Sequence, residues 1–360
     1  MIYIGAEEII SPLGKSAEEN FSAILANRSG ISLADHAGFN GDSVYISKIL
    51  DLSEENKFEN LITTVLNQVI IKIDNKIVSS ERTVVLLSST KGDLDNNIND
   101  QFGKTIATLT TQFNLANQPI VVSNACISGV LAINTAGNFI ESGLYDHVIV
   151  IGCDLISNFV LFGFQSLFAI SNQPCTPFDA SRNGITMGEG CGALVISNSK
   201  MIFKEQPLKL LSGTSANDAN HISGPSRTGE GLYRSVKRTM EMNDLLPADI
   251  DFISAHGTGT IYNDEMESIA FDRSNLTPIP LNSFKGYFGH TLGAAGVIET
   301  AISMQMLRNQ MLIKSPGFET TGTSKELNIV KENKPANLRT ILKTASGFGG
   351  GNASLLIQKI

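Results

Sequence analysis

Long apolar runs are missing from this chain. No stretch approaches the roughly 18 consecutive apolar residues of a membrane-spanning helix, so no membrane insertion is expected. Charge is sparse, at 17% of residues, which argues against long disordered tracts. An excess of basic residues is lacking too. The formal net charge is −8, so the electrostatic footprint of a general nucleic-acid binder is absent and no nucleic-acid partner is expected. Cysteine is scarce and scattered. Cys126, Cys153, Cys175 and Cys191 form no C-x-x-C pair, which excludes the usual zinc site and a disulfide scaffold. Reduced thiols in a cytosol are the simplest reading, and a cytoplasmic location is expected. The start, "MIYIGAEEII", carries Glu7 and Glu8 and no basic flank. It is unlike a signal peptide and reads as a first strand.

What is present is apolar and patterned. At 42% hydrophobic over 360 residues, the chain can bury a large core as two domains or one fused α/β body. Short apolar runs at 82–88, 119–123, 147–152, 192–197, 250–255 and 353–358 predict strands. Helical patterns at 16–27, 57–71, 127–142, 229–243, 264–273 and 293–308 fall between them. Such alternation predicts βαβ units and a sheet covered on both faces. Ser16 ahead of Glu18 and Glu19 is the start signal of the first helix. An internal echo adds a second level: "GEGCGALVIS" (188–197) and "GGGNASLLIQ" (349–358) align without gaps. Either two glycine turns lead into strands alike by chance, or the fold is duplicated, with a boundary near 198–207.

Three residues invite a chemical reading. Cys126, in "VVSNACISGVLAI", stands between the end of a strand and the start of a helix. The helix N-terminus favours a thiolate there, so a lowered thiol pKa is expected. The bland alternative is a small buried hydrophobe, and Cys153, Cys175 and Cys191 are assigned that role. His256, in "AHGTGT", follows a predicted strand, and His290, in "KGYFGHTLGAAG", precedes a helix. Glycines beside both let a ligand approach closely. His36, His147 and His221 are read as structural or superficial. No short ligand pair anchors Cys126, His256 and His290, so no metal is expected. "GFGGGN" (347–352) lacks the Lys-Ser/Thr of a phosphate loop and leads into a strand; its backbone N–H groups suit an oxyanion instead.

Taken in order, these blocks resemble the β-ketoacyl-acyl carrier protein synthases of the thiolase-like condensing enzymes, in the elongating I/II branch with a Cys-His-His site. The likeness runs from "SPLGKSAEENFSAILANRSGI" through "VVSNACISG", "PFDASRNGITMGEGCGALVI", "HGTGT", the lysine with "GHTLGAAG", and "GFGGGN". It implies a thiolase-like α/β fold of two similar halves in five αβαβα layers. A nucleophile half at 1–200 and a histidine half at 201–360 follow from it. It implies a decarboxylative Claisen condensation of an acyl group on Cys126 with malonyl-acyl carrier protein. His256 and His290 would be catalytic with Lys285, and Glu299 would support Lys285. The N–H groups of Cys126 and Phe348 would form the oxyanion hole. Phe348 would gate the acyl pocket, and Thr258 and Thr260 would bind pantetheine. Arg182 matches a position near the carrier-protein docking surface, where a basic patch is expected. No cofactor is implied, since phosphopantetheine arrives on the acyl carrier protein. A homodimer is implied, or a heterodimer with a ketosynthase-like subunit.

The likeness has departures. Phe284 stands where a small residue is usual, Ser346 stands where phenylalanine is common, and the stretch from 88 to Cys126 is short. A specialised synthase making a polyene or other secondary acyl product is the expectation from these. The competing reading is a non-catalytic partner like a chain-length factor, although such subunits typically lose the cysteine. A thiolase would need a second cysteine after Cys191, an initiating synthase III an asparagine at His290, and a bare docking module would leave the constellation without purpose.

Overall fold

The computed structural model describes residues 1–218 and 224–360; His221 lies outside the described residues. Ten strands form one sheet built from two sets of five. The first set is β1 (Ile2–Ile10), β2 (Thr83–Ser88), β3 (Ile120–Val122), β4 (His147–Asp154) and β5 (Gly190–Ser197), in the spatial order β3-β2-β4-β5-β1. The second is β6 (Leu208–Asn217), β7 (Phe252–Ser254), β8 (Leu281–Asn282), β9 (Thr340–Ser346) and β10 (Gly351–Gln358), in the order β8-β7-β9-β10-β6. Both sets follow the same path. The first three positions are mutually parallel, and the fourth and fifth pair antiparallel. The sets join edge to edge through antiparallel β1 and β6, with Ile2 opposite Leu210 and Ile4 opposite Leu208. The strands that echo each other in sequence, β5 and β10, are the fifth strand of each set. Duplication, not chance, accounts for the echo.

Alternation along the strands divides the core. On β4, Val148 and Val150 face one cluster, while Ile149, Ile151 and Cys153 face another. The outer face of the first set is covered by α2 (Lys57–Ile71) and α3 (Gly103–Gln112), through Phe58, Leu61, Val65 and Leu109. The outer face of the second is covered by α4 (Glu230–Met242) and α5 (Ile261–Arg273), through Leu232, Val236, Met266 and Phe271. Between the inner faces lie α6 (Ser128–Glu141) and α7 (Ala295–Asn309). The layers therefore run helix, sheet, helix, sheet, helix, as the resemblance implies. Helix α7 is buried from Ala295 to Leu307, so no polar face marks it in sequence. The first helix, Ala17–Leu25, starts at Ser16, whose hydroxyl accepts from the Glu19 N–H at 3.1 Å. No helix among the described residues is long and apolar enough to cross a membrane.

Helices α6 and α7 can cross only because both are glycine at the contact. A Cβ on Gly296 would lie 2.4 Å from the Val130 nitrogen, and one on Gly129 would lie 2.8 Å from the Val297 nitrogen. These are backbone atoms, which cannot rotate away. Gly296→Ala should therefore lower the urea midpoint by about 1–3 kcal/mol of stability, even though alanine favours an isolated helix by about 1 kcal/mol. A raised midpoint would show that helix propensity wins and that the crossing has slack.

Candidate active site

The turn that carries Cys126 is strained and stapled. Ala125 takes φ 44°, a left-handed value that costs a non-glycine residue energy. The Ser128 hydroxyl donates to the Ala125 carbonyl at 2.6 Å and accepts from the Asn124 N–H at 2.8 Å. Cys126 follows, 6% exposed, just ahead of α6. His256 lies two residues beyond the end of β7, and His290 follows Gly289 at φ 67°. The His290 N–H donates to the Thr186 carbonyl at 2.7 Å, which fixes the ring's origin.

These elements bring the three residues together. His290 Nε2 lies 3.1 Å from Cys126 Sγ. The His256 and His290 rings meet edge to face, with centroids 5.2 Å apart at 79°. His290 Nδ1 accepts the Leu292 N–H at 3.2 Å, so the proton of the neutral ring sits on Nε2 and points at the sulfur. Burial, reinforced by the charges of Lys285 and Lys343, holds both imidazoles well below the ordinary histidine range. Both are neutral hydrogen-bond donors at pH 7. The ligand atoms of Cys126, His256 and His290 lie within 4.8 Å of one another, close enough to invite a metal. The His290 tautomer argues against one, because the nitrogen facing the sulfur offers no lone pair.

The expectation for the thiol is overturned. Burial pushes Cys126 up to about 11, against the pull of Lys285 and of the Phe348 and Cys126 N–H groups. Desolvation of the charged form outweighs the helix N-terminus here. Cys126 therefore rests as a thiol.

Behind the rings lies a buried charge cluster. Lys285 Nζ donates to the His256 carbonyl at 2.6 Å and to Glu299 Oε1 at 2.7 Å. Lys343 Nζ donates to Glu299 Oε2 at 2.5 Å. Burial alone would raise the Glu299 carboxyl, but the two ammoniums overrule it and hold it below its ordinary value. Sequence reading missed Lys343; its only signal was a lysine inside an apolar strand, "TILKTAS". It also missed the carboxylates that hold the "HGTGT" loop. Asp264 accepts the Thr258 N–H at 2.9 Å, and Glu267 accepts the Gly257 N–H at 2.9 Å. Burial, with the neighbouring Asp264 charge, lifts Glu267 to about 7.

A cavity of about 320 Å³ opens onto Cys126, His256 and His290, and Thr258, Thr260 and Phe348 also line it. The Thr258 and Thr260 hydroxyls are 2.9 Å apart. Phe348 is 41% exposed and tilts against Phe164, with centroids at 5.4 Å. The described residues lining the cavity include Asp218 but no lysine or arginine. The expected place of Arg182 needs correcting. It is only 8% exposed, and its guanidinium donates to the carbonyls of Asp179 and Gly322 at 2.9 and 2.6 Å. It braces the fold from inside and presents nothing to a docking partner.

Two outcomes follow. The rate of Cys126 alkylation by iodoacetamide should keep rising with pH through 9; a plateau near pH 7 would mean a stabilised thiolate. Arg182→Glu should cost about 3–5 kcal/mol in urea unfolding, because it breaks the 3.9 Å contact between the guanidinium Nε and the buried Asp264 carboxylate. A stable variant would return Arg182 to the surface.

Comparison with known proteins gives the following. The β-ketoacyl synthase N-terminal domain profile matches residues 78–201, and the C-terminal domain profile matches residues 210–319. Together they span more than half of the chain. A Saccharomyces cerevisiae 3-oxoacyl-[acyl-carrier-protein] synthase homolog is 32% identical over 271 residues, 70% of this chain and 61% of that protein. Rhizobium meliloti 3-oxoacyl-[acyl-carrier-protein] synthase 2 is 32% identical over 257 residues, 66% of this chain and 60% of that protein. The Bacillus subtilis polyketide biosynthesis malonyl-ACP decarboxylase PksF is 30% identical over 263 residues, 70% of this chain and 63% of that protein. The chain thus spans about three fifths of the length of the curated relatives it matches. Among solved structures, a Xenorhabdus doucetiae ketosynthase in complex with its chain length factor superposes with TM-score 0.88. That match covers 100% of this chain and 98% of the other at 24% identity, a likeness of fold.

Proposed function

The chain belongs to the β-ketoacyl synthase family, and from that premise we propose that it performs a decarboxylative Claisen condensation in fatty-acid or polyketide-type chain elongation, as a synthase of the II-like class. The carrying observation is the His290 Nε2–H directed at Cys126 Sγ across 3.1 Å, beside His256, on the floor of an open cavity. In the first half-reaction Cys126 sulfur attacks the acyl thioester of an acyl carrier protein. The acyl carbon–sulfur bond to the carrier breaks, and the Cys126 proton ends on the departing carrier thiol. Because the thiolate is the attacking form, the buried thiol has to give up its proton as the carbon–sulfur bond forms. The backbone N–H groups of Cys126 and Phe348 face the oxyanion, a contact worth about 3–4 kcal/mol per donor in such sites.

In the second half-reaction malonyl-acyl carrier protein enters with its pantetheine arm against Thr258 and Thr260. Carbon dioxide leaves, and the electron pair of its bond forms an enolate. Neutral His256 and His290 donate hydrogen bonds to the enolate oxygen. The nucleophilic carbon then attacks the Cys126 thioester and releases 3-oxoacyl-acyl carrier protein; the sulfur leaves as thiolate and takes one proton from solvent to return to the thiol. Covalent tethering divides one hard step into two easier ones. No cofactor enters beyond the carrier's phosphopantetheine. Lys285 orients the histidines, Glu299 holds Lys285, and Phe348, leaning on Phe164, gates the acyl end.

A subunit pairing through β3 fits the same reading. This strand closes the sheet as an unpaired edge with Ile120 40% exposed, open to a second copy or to a ketosynthase-like partner. Four free, buried cysteines agree with a cytoplasmic location. Two other readings compete. One is a silent partner subunit, which shares this fold with ketosynthases, so the likeness to a ketosynthase–chain length factor complex does not separate the two; the other is decarboxylation without condensation, to which the likeness to a malonyl-ACP decarboxylase points. The intact Cys126, His256, His290 and Lys285 set speaks for the full reaction.

Mass spectrometry of the protein offered a panel of acyl-carrier proteins separates the three. Condensation requires acyl on Cys126 and a 3-oxoacyl product. Decarboxylation without acylation selects the second alternative, and neither activity selects the silent partner. Cys126→Ala should abolish acylation, and His256→Ala or His290→Ala should slow decarboxylation by roughly 100-fold or more.

A further inference from the structure

Lys343 sits in the middle of β9 with no exposed surface, and its side chain turns toward α7. Its three N–H donors are fully used: Glu299 Oε2 at 2.5 Å, the Ser254 carbonyl at 3.3 Å and the Ala255 carbonyl at 3.4 Å. Lys285 takes the next carbonyl, that of His256, at 2.6 Å, and the other Glu299 oxygen. Three consecutive carbonyls, 254 to 256, are thus held by two ammoniums that share one carboxylate. The segment so clamped is the one that delivers the His256 ring to the cavity.

Stability is a poor reason for this arrangement. One carboxylate does not balance two ammoniums, and a buried ion group is often no better than an apolar replacement. Lys285 and Glu299 alone would make a neutral pair. The second cation leaves Glu299 shared between two ammoniums in a buried cluster, offset from further off by Glu267, and burial lowers the Lys343 pKa. What the second cation does supply is direction. It is the only described contact from an ammonium to the two residues ahead of His256, and three residues further along its own strand the chain turns into Ser346, Gly347 and Phe348.

We propose that Lys343 is a positioning residue: with Lys285 it clamps the 254–256 backbone through Glu299 and so fixes the aim of the His256 imidazole at the reacting centre. This rests on reading the cavity as a condensing site. Glu267, His290 and Lys285 face the same cluster, and the charge of Lys343 is felt by both imidazoles.

The test uses Lys343→Met, which keeps length and volume and leaves Lys285 paired with Glu299. Its urea midpoint should match or exceed the wild type. Its kcat for malonyl-carrier decarboxylation should fall roughly 10- to 100-fold, as misaligned catalytic groups do, with KM unchanged. In Lys343→Ala, ammonium or methylammonium at high concentration should restore part of the lost rate by refilling the three-oxygen site. An unchanged kcat in Lys343→Met overturns the proposal. So does a loss that tracks a lowered urea midpoint and resists ammonium, since that describes packing alone. If the wild type does not decarboxylate malonyl-carrier, the functional reading fails, and the proposal is then read from proton NMR. The His256 ring resonance should move in Lys343→Met while that of exposed His36 stays; an unmoved His256 resonance overturns it.

Discussion

A thiol and two imidazoles are kept where water cannot solvate their charged forms, and the chemistry of the site depends on that exclusion. Burial raises the sulfur's pKa and lowers those of both rings. The same dryness makes every hydrogen bond to a developing oxyanion stronger than it would be in water. Two lysines placed behind the rings add to the effect. They keep the histidines uncharged, so that each ring offers an N–H instead of competing for protons. On the proposed reading, the site is prepared for negative charge before any substrate brings it.

The duplicated sheet is the means by which that pocket is made. Cys126 comes from the first five strands, and His256 and His290 come from the second. The two sets meet through β1 and β6 at one seam and through α6 and α7 at another. Gly129 and Gly296 let the two helices touch backbone to backbone, which places the start of α6, and hence Cys126, against the loop of His290. Asp154, at the end of β4, ties this contact from a third side. It accepts the Gly293 N–H at 2.7 Å and the Ser89 hydroxyl at 2.8 Å.

Much of this could be read from the sequence, for identifiable reasons. The "GEGCGALVIS" and "GGGNASLLIQ" echo marked the duplication because a fifth strand buried on both faces must be apolar throughout and must follow a turn. The run 57–71 matched α2 because its apolar residues recur at helical spacing. Helix Asn158–Ser166 went unread because "NFVLFGFQS" is apolar on nearly every side and has no polar face to set its period. Strand β6 was hidden by "SGTSAN" in its second half. At the site, Cys126, His256 and His290 were legible from their glycine and small-residue settings. Lys343 was not, because its partner carboxylate lies 44 residues away and strand pattern treats a lysine as an interruption. Arg182 misled in the opposite direction: the resemblance placed it near a docking surface, and only the fold shows carbonyls converging on it. The thiol pKa misled because helix position is visible in sequence and burial depth is not.

The central claim is that His290 and His256 act as neutral N–H donors toward the cavity. Nitrogen-15 NMR of the two imidazoles in the full-length protein at pH 7 tests it most directly. The account predicts two uncharged rings, with the proton of His290 on Nε2. An imidazolium signature from either ring, or a His290 proton on Nδ1, would contradict it.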